Sequence, residues 1–78
     1  MAFPSKFVSY GVVKINKFAG YNGVAVYSGP SDYTSLGGFS SARSAVEAWW
    51  SGDAIIVKMR DGEVRRFTDF NNSDKINL

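Results

Sequence analysis

Ser40-Ser-Ala-Arg-Ser-Ala-Val-Glu-Ala-Trp-Trp-Ser-Gly52 is the stretch whose reading decides the fold. Taken at helical spacing, Ala42, Ala45, Val46 and Trp49 form one apolar stripe. Ser40 or Ser41 then stands as the N-cap, because a hydroxyl there accepts an orphan backbone N–H. Gly52 supplies the C-terminal stop. The spacing therefore predicts a helix over about 42–51. Trp49 is its core anchor, and Trp50, about 100° further round the axis, is an exposed anchor at the edge of the stripe.

Downstream, Ala54-Ile-Ile-Val-Lys-Met-Arg-Asp-Gly-Glu-Val-Arg-Arg-Phe67 reads as a β-hairpin, with strands 54–60 and 63–70 around Asp61-Gly62. That dipeptide suits the positive φ angles of a type I′ turn. A two-residue loop places Met59 opposite Val64, Lys58 opposite Arg65, Val57 opposite Arg66 and Ile56 opposite Phe67. Ile55, Val57, Met59 and Val64 then form the buried face, with Arg66 snorkelling from it. Upstream, residues 7–18 read as a long strand whose alternation is interrupted by a bulge near Gly11. Tyr21-Asn22-Gly23 reads as a turn, 23–28 as a second strand, and 33–39 as a short third one. The order β-β-(β)-α-β-β predicts an α+β fold, a four- to five-stranded antiparallel sheet with one helix packed on one face. Residues 1–70 form the expected single domain, and 71–78 a flexible polar tail.

Composition narrows the chemistry. The chain has 78 residues, with no histidine and no cysteine. That removes the commonest general base, thiolate nucleophiles and the favoured transition-metal ligands. The serines have no base to activate them, and the seven acids form no catalytic or calcium-loop motif. A non-enzyme without cofactor or metal is expected. Met1-Ala-Phe-Pro-Ser-Lys6 has no apolar run, so no leader, no membrane segment and a cytoplasmic location are expected. Net charge is only +2, and residues 41–78 hold equal numbers of cations and acids, too balanced for charge alone to imply nucleic-acid binding.

Two groups of side chains remain as candidate sites. Lys58, Arg60 and Arg65 share one expected hairpin face with Phe67, a set suited to an anion or to single-stranded nucleic acid. The bland role for these cations is to protect an edge strand from aggregation. The second group is aromatic: Tyr10, Tyr21, Tyr27 and Tyr33. If Val24 and Val26 face the core, Tyr27 faces outward and lies near Tyr33 or Tyr10. Tyrosine and arginine are enriched at protein interfaces, so Tyr27, Tyr33, Trp50, Arg60 and Arg65 are the expected partner-binding residues.

Asn22-Gly-Val-Ala-Val-Tyr-Ser-Gly29 and Gly38-Phe-Ser-Ser-Ala-Arg-Ser-Ala-Val-Glu-Ala-Trp-Trp-Ser-Gly52 resemble a family of small anti-CRISPR proteins encoded by phages. The first segment matches as a strand ending in Val-Tyr. The second matches as a Phe-Ser cap with a short helix ending in paired aromatics. The resemblance implies a sheet face that docks on a CRISPR surveillance complex, with Tyr27 as a contact. The leading expectation is thus a small protein-binding module, in its specific form a phage-type inhibitor of a host complex. A single-stranded nucleic-acid binder is the first alternative. A structural homodimer or larger homo-oligomer is the second.

Overall fold

The computed structural model describes residues 3–77. Its elements run α1 (Ser5–Tyr10), β1 (Val12–Phe18), β2 (Tyr21–Tyr27), β3 (Tyr33–Ser35), β4 (Ala45–Ser51), β5 (Ala54–Met59), β6 (Val64–Phe67) and β7 (Ser73–Ile76). Met1, Ala2 and Leu78, which belong to the stretches read above for a leader and a tail, lie outside the described residues. Strands β1–β3 form one antiparallel sheet and β4–β7 a second, each in sequence order. Among the described residues the protein is mostly β, with two sheets and one short helix. This corrects the expectation of a single sheet covered by a helix.

The correction centres on β4. Gly52 does adopt the left-handed conformation, φ 65°, but it turns a chain reversal instead of ending a helix. Ser51 pairs with Ala54, so Gly52-Asp53 is a two-residue hairpin loop with its positive φ at the first position, as in a type II′ turn. The helical look of this stretch has a physical source. A β-bulge between Ala45 and Glu47 inserts Val46, which is exposed. Ala45 and Ala48 therefore both face inward three positions apart, and Trp50 follows at the strand spacing of two. Strand alternation also exchanges the tryptophans. Trp49 points outward, and Trp50 packs inward edge-on against Phe3 at 5.4 Å.

The expected first strand splits in two. Pro4 precedes α1, and Gly11 ends it at φ 69° with its N–H donating to the Phe7 carbonyl at 3.0 Å. Proline at the start and glycine just past the end is the ordinary helix punctuation. Gly11 is therefore a C-cap and not a bulge, and Tyr10 belongs to a helix. Phe3 and Phe7 both meet the Phe70 ring at 5.0 Å, which pins this segment to the second sheet.

The β5–β6 hairpin exists, but its register differs by one. A type I′ turn needs positive φ at both central residues, and among the described residues only glycines have one. Instead Met59 N–H donates to Glu63 O at 2.7 Å and Gly62 N–H to Met59 O at 3.0 Å. Arg60, Asp61 and Gly62 form a three-residue loop, with Gly62 at φ 93° in the bulge position. Lys58 now faces Val64, Val57 faces Arg65, Ile56 faces Arg66 and Ile55 faces Phe67. A one-residue shift exchanges the two faces of a strand. Arg65 and Phe67 thus share the inner face with Ile55 and Val57, while Arg66 joins Lys58 outside. Residues 73–76, read above within a loose tail, are β7, paired along β6.

The core lies between the sheets. Val24 and Val26 of β2 and Ile55 and Val57 of β5 share one buried cluster with Phe3, Phe7, Leu36, Ala45, Met59 and Phe67. Each fully buried Val or Ile contributes about 1.5–3 kcal/mol, against roughly 0–1 kcal/mol for an exposed ion pair. The fold therefore rests on this apolar layer, and the charged groups are free to serve the surface. Two hydrogen bonds tie the sheet margins: Asn22 N–H to Ser44 Oγ at 3.2 Å and Gly37 N–H to Phe70 O at 2.9 Å. No helix among the described residues is long and apolar enough to cross a membrane.

Candidate functional site

The outer face of the β1–β3 sheet carries a row of rings. Strand alternation turns Val13, Ile15, Val24 and Val26 to the core, so Val12, Lys14, Asn16 and Phe18 point outward on β1. Their register partners Tyr27, Ala25, Gly23 and Tyr21 share that face, and Tyr33 stands beside Tyr27. At one end the Tyr27 and Tyr33 rings lie 5.3 Å apart, tilted by 40°. Lys14 Nζ sits 5.2 Å over the Tyr27 ring, within cation–π range. At the other end Phe18 and Tyr21 are stacked at 5.1 Å. Tyr21 and Tyr27 close the two ends of β2, which for a strand of that length lie roughly 20 Å apart. Between them Ala25 and Gly23 keep the floor low. A Cβ on Gly23 would come within 2.9 Å of Phe18 Cε2, so the Phe18 ring lies across the glycine. Tyr33 is 50% exposed and Phe18 40%.

The structure brings Tyr27 and Tyr33 together and separates them from the other expected anchors. Trp50 is on the inner side of β4, and its indole Nε1 is buried without a hydrogen-bond partner. Arg60 sits in the β5–β6 loop and shares a groove with Lys17, Tyr21 and Ser44. Lys58 lies on the outer face of the second sheet between Glu47 and Val64. Phe67 is 4% exposed and stacks on Phe39 at 5.9 Å, so it cannot receive a nucleobase. Lys58, Arg60, Arg65 and Phe67 therefore make no common surface. Sequence reasoning missed Lys14 and Phe18 as site residues, and read Tyr21 as part of a turn although it belonged to the aromatic set. Their signal was the alternation through Val13 and Ile15, hidden because the turn falls at Ala19-Gly20 and not at Tyr21-Gly23.

Arg65 belongs to a different arrangement. Its Nε donates to Ser73 Oγ at 2.8 Å, one Nη to Ser73 O at 3.0 Å, and the other to Glu63 Oε2 at 2.9 Å. Arg43 reaches the same Glu63 oxygen at 3.4 Å. The hydrogen bond from Arg65 holds the Glu63 carboxyl below the usual glutamate range; partial burial opposes this, and Arg43 adds to it. Both arginines line an open groove of about 400 Å³ with Gly37, Gly38, Asn71 and Ser73, over Met59 and Phe67.

Among the described residues no three His, Cys, Asp or Glu side chains gather as a metal site. Compared with protein-family models, curated proteins and solved structures, the chain finds no match in any of the three.

Proposed function

We propose that this chain is a non-enzymatic protein-binding module that meets its partner with the outer face of the β1–β3 sheet. The supporting observation is that Tyr27, Tyr33, Phe18 and Tyr21 occupy a solvent-facing sheet surface in two paired sets, with Lys14 over Tyr27. Rigid rings with a polar tip give contact area at small entropic cost, and such residues dominate interface hot spots. The specific form is an inhibitor that docks on a bacterial macromolecular complex. The anti-CRISPR resemblance now supports it through β2 and Tyr27 alone, because the second segment of that resemblance is strand β4 and not a helix.

The test is affinity capture from bacterial lysate with the wild type, the Tyr27→Ser/Tyr33→Ser double variant, and Lys58→Ser as a control on the other sheet, between Glu47 and Val64. A stoichiometric partner held by the wild type and by Lys58→Ser, and weakened more than about tenfold by the double variant, is expected. A partner retained by the double variant, or no partner at all, overturns the proposal.

A second reading has its own observation: strands β1–β3 contain no carboxylate, and Lys14 stands among the rings of the outer face. Rings beside a cation stack on bases while Lys14 meets a phosphate of a single strand. Anisotropy titration with short oligonucleotides tests it, since such binding weakens steeply with salt.

A further inference from the structure

The groove of Arg43 and Arg65 lies apart from the aromatic face, and its charges do not cancel. Two guanidinium groups share one oxygen of one carboxylate, Glu63 Oε2. Arg65 is locked, with its three bonds spent on Ser73 and Glu63. Arg43 is not. Its side chain is 42% exposed, and its hold on Glu63 is a long contact of 3.4 Å. A guanidinium has five N–H donors in a planar fork that matches the two oxygens of a carboxylate or phosphate. Arg43 therefore turns an open fork toward the groove, with Glu63 and the locked Arg65 fixing its position from behind. Gly37 and Gly38 also line the groove; a Cβ on Gly37 would meet Asn71 Oδ1 at 2.7 Å, whereas one on Gly38 would meet nothing within 4 Å beyond its chain neighbours. The groove is therefore open at Gly38.

We propose that this groove is a binding site for a small oxyanion, a carboxylate or phosphate group, gripped by Arg43 and supported by Arg65. Glu63 is a positioning residue and also the built-in competitor: it orients both forks and neutralises half of their charge. That dual role predicts opposite effects of two neighbouring substitutions. Arg43→Gln removes the fork and weakens oxyanion binding at least about fivefold. Glu63→Gln keeps an acceptor for both arginines, removes the competing charge and tightens binding about threefold.

The experiment is amide NMR titration of the intact chain with inorganic phosphate and, separately, with acetate, at constant ionic strength. Saturable shifts at Gly37, Gly38, Asn71 and Ser73 are expected, and whichever probe binds more tightly names the group recognised. Thermal midpoints of both variants establish that each is folded, and Arg43→Gln on its own suffices if Glu63→Gln unfolds. Shifts that do not saturate, shifts unchanged in Arg43→Gln, or weaker binding in folded Glu63→Gln would each overturn the site.

Discussion

Ser44 makes one of the two hydrogen-bonded ties between the sheet margins with a single hydroxyl. Its Oγ accepts the Asn22 N–H from β2 and donates to Ser40 O, both at 3.2 Å. Its carbonyl takes the Arg60 N–H at 2.8 Å. The residue is buried, so the bonds made by its hydroxyl are not readily replaced by water. Ser44→Ala leaves the Asn22 N–H without that acceptor, and the cost of an orphaned donor exceeds the value of the bond itself. We expect Ser44→Ala to lower stability by about 1–2 kcal/mol in urea denaturation, whereas a change near zero would show that this bond does not secure the sheets. The effect reaches the binding surface, because Asn22 follows Tyr21. Loss of the tie frees the Phe18–Tyr21 end of the aromatic row before the Tyr27–Tyr33 end.

At the scale of elements, β7 gives the most direct test. Polar composition reads as a loose tail, yet Asp69 preforms the reversal: its carboxylate accepts the Asn71 and Asn72 backbone N–H groups at 2.9 Å and the Asn72 side chain at 2.7 Å. Strand β7 then pairs along β6 and gives Arg65 both of its Ser73 contacts. A chain ending at Asn72 opens the β6 edge and strips Arg65 of those two acceptors. It should lose at least about 3 kcal/mol, read as a large fall in the thermal midpoint, whereas a disordered tail could be removed without effect. The same elements show what local sequence carries. The β5–β6 hairpin was legible because two β-branched runs flank Asp61-Gly62, but its register was not, since Gly62 serves a two-residue and a three-residue loop equally well. Strand β4 was concealed by the Val46 bulge, which reproduces helical spacing. Its remaining signal was the Gly52-Asp53 dipeptide between two apolar runs. Tyr27 was legible from Val24 and Val26 alone. Phe18 and Tyr21 were not, because their faces depend on where the preceding turn falls, and pairing with β1 decides that. The groove of Arg43 and Arg65 joins residues from two loops and three strands, so no local pattern announces it.

The whole molecule has an unusual titration, because it contains no histidine or cysteine side chain to change charge between acid and neutral pH. The groups that matter are Glu63, lowered chiefly by the hydrogen bond from Arg65, and Asp69, lowered chiefly by the backbone N–H of Asn71. Both carboxyls bind a proton less readily folded than unfolded. The unfolded chain therefore takes up more protons in the acid range, and stability rises with pH there. The contribution is complete above the ordinary carboxylate range and disappears as pH falls through the lowered values of the folded state. The thermal midpoint, followed by tryptophan fluorescence at fixed ionic strength, should be flat from about pH 5.5 to 7 and drop below roughly pH 4. Glu63→Gln should shrink that acid drop without abolishing it, since Asp69 still titrates. A slope between about pH 5.5 and 7 would contradict the assignment, because no side-chain type in this sequence has an ordinary value in that interval. The proposed oxyanion site adds a condition at this scale. Protonating Glu63 removes its competing charge just as Glu63→Gln does, so phosphate binding, compared only across the acid range where the monoanion is the ligand throughout, should strengthen, not weaken, as Glu63 takes up its proton while the chain remains folded.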